Sequence, residues 1–403
     1  MKNADMPVFG NLSGLKVISS SSVIAGPFIC GLFAEQGADV VQIESPKISD
    51  MLRKLGDEFW SAERRNQRMM VLDIPSEEGR KVLFRMVKDA HILVESSKGG
   101  TWKKWGITDE VLWEHNPALV IVHVSGFGQD GDPAYVNRPA FDPVAQSFSG
   151  IASINGMPEP NPPYFLKPFT GDYVAGLMGA WSALAAYIKA KETGVGESID
   201  LSQYESLLRI QGNYLSNGVN KGIQPARMGN EDPNNPRKGS ERCKDGWCYV
   251  SAGGAGTIAG LIKLFGMENE PEFKEPLQIL SRKNPAAVRL TEKLSEWCAE
   301  HTVDEVESTL GKLGVACSKI MTYKDMMANS HYIARDSITE WDDQRLGHKV
   351  KGTNAFPYFK NHPSCIFRGG ADYGEDTLDV MTELGYSEDE ISRLKEAGII
   401  KCK

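Results

Sequence analysis

Over its first 125 residues the chain alternates short apolar runs with stretches of helical spacing, and few folds accept that pattern. "LKVIS" (Leu15–Ser19) reads as a strand, "AGPFICGLFAEQGA" as a helix closed by Gly37, and "DVVQIE" as a second strand. "RMMVLDI" supplies a third. "EEGRKVLFRMVKDA" places Val82, Leu83 and Met86 on one helical face, and "HILVESS" returns to strand character. "TDEVLWEHNP" is a capped helix, and "ALVIVHVSGFG" is an apolar strand ending in a glycine turn. Strands that alternate with helices predict a parallel, doubly wound α/β sheet of Rossmann type. Its ligands would sit at the carboxyl ends of the strands.

At 403 residues the chain exceeds one ordinary core, so two units are expected. A helix over Met178–Ala190 and a strand plus long helix in "SIDLSQYESLLRIQGNYLSNG" complete the first. The polar, Gly-, Pro- and Asn-rich stretch Asn220–Ser240 then marks an exposed loop. These features assign 1–222 to a large Rossmann-like domain and 223–324 to a smaller α+β domain with a strand pair around "KDGWCYVSA". Residues 325–403 are read as a return to the large domain.

Charge and cysteine usage narrow the function. Lys and Arg number 45 against 53 Asp and Glu, a formal charge of -8 that disfavours nucleic acid and anionic lipid as partners. No apolar run reaches the ~18 residues of a membrane span, and "MKNADMPVFG" lacks signal-peptide character, so a cytoplasmic protein is expected. Seven scattered cysteines without a CxxC pair read as reduced thiols, mostly buried, with Cys402 in an exposed tail and no metal site.

Asp172, in "TGDYVAGL", stands just ahead of the apolar helix. As an N-cap it would accept helix amides. The same helix end would lower its pKa and hold an ionised nucleophile beside orphan amides, with Gly171 admitting a substrate and Tyr173 shielding it. Local physics leaves both readings open. In "SAGGAGTIAG", Gly254, Gly256 and Ala259 match a relaxed dinucleotide fingerprint, but no second strand follows promptly, so a mobile active-site loop including Gly253 is favoured over a nicotinamide site. Lys98, Lys103 and Lys104 follow a strand, where they form either a solvated cluster or a nucleotide phosphate site, and Arg64, Arg65 and Arg68 pose the same choice. His123 lies inside an apolar strand and reads as a satisfied core histidine, not as part of a hydrolase triad.

Several stretches together resemble the family III CoA-transferases (the CaiB/BaiF family): "LSGLKVI", "IAGPF", "FAEQGADVVQIE", "GITDEVLWEHNPALVIVHVSGFGQ", "AFDPVAQSFSG", "GDYVAGL", "ETGVGESIDLSQYE" and "ELGYSEDEI". They run in order along nearly the whole chain. Likeness to the carnitine-pathway transferases is strongest in "MPVFGNLSGL", "SKGG" and "YIARDSITEW". The resemblance implies an interlocked homodimer and places the family's covalent nucleophile on Asp172. Its CoA-binding positions fall on Ile24, Ala25, Leu72, Asp73, Ser96, Ser97, Lys98, Lys104, Phe141 and Asp142. The expected partners are an acyl-CoA donor and a free carboxylic acid acceptor of carnitine, crotonobetaine or γ-butyrobetaine type.

Alternatives are a 2-hydroxy acid of 2-hydroxyisocaproate or phenyllactate type, or a bile acid. Ile24 replaces the glutamine of formyl-CoA transferases and argues for a larger acyl group. Related α-methylacyl-CoA racemases carry a histidine where this chain has Phe141, so they lose one of their two bases here. A silent CoA-binding protein is a further alternative. A trimethylammonium substrate calls for an aromatic cage, for which Trp60, Trp247 and Tyr249 are candidates.

Overall fold

A computed structural model describes residues 1–231, 238–274 and 284–403. Residues 232–237 of the stretch read as an exposed loop, and 275–283 of the segment read as lacking a prompt second strand, lie outside the described residues. The first apolar runs form parallel strands β1 (Lys16–Ser20), β2 (Asp39–Glu44), β3 (Arg68–Leu72), β4 (Ile92–Glu95) and β5 (Val120–Ser125), joined by β6 (Glu197–Ser202). Later strands are β7 (Lys238–Arg242), β8 (Trp247–Ser251), β9 (Ala316–Lys319), the hairpin β10 (Ile338–Asp343) and β11 (His348–Thr353), and β12 (Ile400–Lys401). The large sheet runs β12-β3-β2-β1-β4-β5-β6, with β12 antiparallel to β3. This is the doubly wound order, in which strand progression reverses between β1 and β4.

Alternate residues of each strand feed different cores. Ile18, Val41, Leu93 and Ile121 face Val82, Leu83, Met86 and Met381 on one side. Val17, Val40, Ile92, Val94, Val120 and Val122 face Ala25, Ile29, Phe33, Ala175 and Ala183 on the other. Each fully buried aliphatic side chain contributes about 1.5–3 kcal/mol, so a sheet covered on both faces can be apolar along its whole length. Small residues bring the helix Thr170–Thr193 close to the helix Ala25–Ala34. A Cβ on Gly179 would lie 2.3 Å from Ile29 Cδ1.

Two compact units result: 1–152, 165–223 and 334–403 in the first, and 153–164 and 224–333 in the second. The second has an antiparallel sheet β7-β8-β9 and its own core, in which Val250, Leu261, Leu290 and Val306 pack with Cys243, Cys248 and Cys298. Because β8 pairs antiparallel with both neighbours, it does not supply the parallel crossover that a dinucleotide fingerprint requires.

Several local expectations change. The long helix starts at Thr170, eight residues before Met178, because its first turn is capped from elsewhere in the chain. The helix after β6 is two helices, Gln203–Arg209 and Asn213–Lys221, divided at Gly212 (φ 54°). Cys402 is half-buried against the first core, whereas Cys365 is exposed. Among the described residues no helix is long and apolar enough to cross a membrane.

Candidate functional site

At the reversal between β1 and β4, the loops that leave the two strands are tied together where Ser22 N–H donates to Ser96 Oγ (3.0 Å). Beside them, Ser22, Val23, Ile24, Ala25, Ser96, Ser125, Phe141, Asp172 and Gln203 line a cavity of about 110 Å³. An adjoining cavity of about 250 Å³ is lined by Ser96, Ser97, Lys98, Arg138 and again Phe141. The doubly wound topology thus gathers into one place residues from six separate segments of the chain.

Asp172 is not an N-cap. It occupies the third position of the helix Thr170–Thr193, behind Phe169, whose left-handed backbone (φ 38°) turns the chain into the helix. The capping role belongs to Asp142, whose Oδ1 accepts from Gly171 N–H (2.5 Å) and Asp172 N–H (3.3 Å). Asp142 is itself held by Gln146 Nε2 (2.7 Å). These amides are therefore not orphans. Gly171 makes room for this carboxylate and not for a substrate, since a Cβ there would stand 2.8 Å from Asp142 Oδ1.

With the cap supplied from outside, the Asp172 carboxyl is left to line the cavity, where it is 8% exposed and accepts a hydrogen bond from Gln203 Nε2. Burial, followed by the charge of Asp142, pushes its pKa up to about 7, while Gln203 opposes the rise by favouring the charged form. This overturns the expectation of a lowered pKa: desolvation and a like charge outweigh the helix dipole. Tyr173 donates to Glu63 (3.1 Å) and packs edge-on against Phe28, so its hydroxyl is engaged away from Asp172.

Among the remaining candidates, Ile24, Ala25, Ser96, Ser97, Lys98 and Phe141 join Asp172 around the two cavities. Leu72 is buried in the core, Asp73 ion-pairs with Lys47 (2.9 Å), and Lys104 is exposed on the short helix Thr101–Lys104; none of the three lines either cavity. Gly253, Gly254 and Gly256 belong to the second unit, where Gly254 opens the helix Ala255–Leu264. Gln203, Ser125 and Arg138 escaped notice in the sequence. Gln203 and Ser125 follow or end strands β6 and β5, and that position was their only signal.

The three arginines are neither solvated nor free for phosphate. Arg64 pairs with Asp50 (2.7 Å), Arg65 with Glu35 (2.5 Å) and Arg68 with Asp39 (2.7 Å), all largely buried. Trp60 is closed as a cage wall, because it is 1% exposed and the Arg53 guanidinium already lies 3.7 Å from its ring centre. Among the described residues, no group of three or more His, Cys, Asp or Glu side chains is placed to ligate a metal.

His123 is satisfied by charge: Nδ1 lies 2.8 Å from Glu95 and Nε2 lies 2.9 Å from Asp109. Burial opposes protonation, but the two carboxylates outweigh it and push the pKa up to about 10. Glu95 also accepts from Ser97 N–H (2.7 Å), so this triad anchors the loop after β4. A group whose pKa rises on folding stabilises fully below its unfolded value, and that stability fades as pH climbs from about 6.5 toward about 10. Thermal melts are expected to show this alkaline decline. His123→Leu should cost about 3–5 kcal/mol at pH 7 by stranding two carboxylates. Equal melting temperatures for variant and parent at pH 7 would contradict the triad's role.

Two solved structures share the fold across the chain. A CaiB/BaiF family protein from Brucella suis is 27% identical, with a TM-score of 0.81 over 93% of this chain and 100% of its own. Rv3272 from M. tuberculosis is 20% identical, with a TM-score of 0.78 over 92% and 99%. The sequence profile of CoA-transferase family III matches residues 12–377, so the matched span includes both cavity loops, Asp172 and the whole of the second unit. On that match this chain belongs to CoA-transferase family III and is a CoA-transferase.

Proposed function

We propose that the chain moves CoA from an acyl-CoA to a free carboxylic acid by way of a thioester on Asp172, with acids of carnitine, crotonobetaine or γ-butyrobetaine type as its substrates. The observation that carries the proposal is a desolvated carboxyl lining a cavity at the sheet's reversal point, with its helix amides already capped by another residue. An Asp172 oxygen attacks the donor carbonyl, and collapse of the tetrahedral oxyanion breaks C–S to give a mixed anhydride and CoA thiolate. The thiolate then attacks the aspartyl carbonyl and expels the donor acid. The acceptor carboxylate reverses both steps and regenerates Asp172. Each exchange is nearly isoenergetic, so no nucleotide hydrolysis is required.

Phe141 favours transfer over racemisation, because a phenyl ring lines the cavity where the racemases place an imidazole. The carnitine-type assignment is supported by the sequence likeness in "MPVFGNLSGL", "SKGG" and "YIARDSITEW". Incubation with butyrobetainyl-CoA followed by hydroxylamine is expected to convert Asp172 to a hydroxamate, read by peptide mass. An unmodified Asp172 during active turnover would defeat the intermediate. A panel of free acids against this donor would test the substrate class, and exchange confined to 2-hydroxy or bile acids would reassign it.

A further inference from the structure

The cavity wall contains a strained residue. Val23 has φ 65°, a conformation that β-branched side chains strongly resist and that persists only where the surroundings enforce it. Both of its backbone polar groups are held by one buried ion pair. Its N–H donates to Asp50 Oδ1 (3.1 Å) and Oδ2 (3.3 Å), and its C=O accepts from Arg64 Nη2 (2.6 Å). Arg64 Nη2 also meets Asp50 Oδ2 at 2.7 Å, with the two side chains 0% and 1% exposed.

The pair is fixed in turn. Asp50 N–H donates to Glu44 Oε2 (3.0 Å) at the end of β2, Asp50 Oδ1 accepts from Leu52 N–H (2.9 Å), and Arg64 follows the helix Asp57–Glu63. Neither residue lines the cavity. Val23, Ile24 and Ala25 do, and Ile24 is the first turn-maker of the helix Ala25–Ala34. A rotation at Val23 would swing this wall and the Ser22–Ser96 link with it.

We infer that Asp50 and Arg64 are positioning residues, which clamp Val23 in its left-handed conformation and so shape the wall that receives CoA. The inference deepens the reading of this cavity as the thioester site and rests on it. It predicts that loss of the clamp weakens CoA binding without touching Asp172. It also predicts that glycine at position 23, which adopts positive φ at little cost, makes the clamp dispensable.

The test is calorimetric titration with coenzyme A itself, which does not require a covalent intermediate. In Asp50→Leu/Arg64→Met, which removes both members of the pair together, Kd is expected to rise about tenfold or more, and adding Val23→Gly should bring it back to within about threefold of the parent. Val23→Pro, which forces negative φ and removes the N–H while leaving the buried pair in place, should raise Kd similarly and guards against a double variant that fails to fold. A parent-like Kd in Val23→Pro, or in the folded double variant, overturns the clamp. Failure of the Asp172 intermediate would show separately, in the hydroxylamine experiment on the parent.

Discussion

Asp172→Asn is expected to lose exchange activity by about 10⁴-fold or more, since the proposed mechanism begins with attack by its carboxylate oxygen, and yet to unfold at a higher temperature than the parent at pH 8. The sign follows from burial. A carboxyl raised on folding from 3.8 to about 7 is ionised more readily in the unfolded chain, so the folded state loses stability as pH rises through that window and remains penalised above it. Asparagine removes the penalty, worth on the order of 4 kcal/mol at pH 8. Below pH 4 the two proteins should melt alike. With Asp172 as the proposed nucleophile, the same shift predicts that kcat/KM of the parent increases with pH through about 7, as its carboxyl ionises. A variant that melts below the parent at pH 8 would remove burial as the source of the shift.

Asp142 should separate structure from electrostatics. Asp142→Ala withdraws the acceptor shared by Gly171 and Asp172 and leaves buried amides without a partner, at a cost of about 1–2 kcal/mol in urea unfolding. Asp142→Asn keeps an acceptor for Gly171 but removes the like charge, so the acid limb of the rate profile should move to lower pH. It will also lose some stability. Gln146 already gives its amide to the Leu166 carbonyl and receives the Leu166 N–H, so it cannot turn to greet a second donor. An unmoved acid limb would mean that the repulsion between the two acids is absent in solution.

The sheet was legible because strand burial writes itself as apolar runs: β2, β3 and β4 are buried at every position, and the helix Glu77–Val87 shows its one apolar face plainly. Asp172 was legible as a residue and not as an environment. Its neighbours Asp142 and Gln203 lie 30 and 31 positions away, and no local rule links a carboxylate in one helix to the amides of another. The arginine cluster misled for the same reason. "ERRNQR" looks solvated until Glu35, Asp39 and Asp50 come to meet it across the fold. The trimethylammonium cage was misplaced at Trp60 because that ring is buried and the Arg53 guanidinium already covers it.

The last pairing of the large sheet joins Leu72 to Ile400, so β3 has a bare rim until the ribosome has delivered some three hundred further residues. At about 5–20 residues per second, that leaves a rim of unpaired backbone groups open for tens of seconds during synthesis. A nascent chain with so long a wait invites strand capture by its neighbours on the same message. Yield in a host would then be governed by holdase supply and translation speed more than by the stability of the finished enzyme.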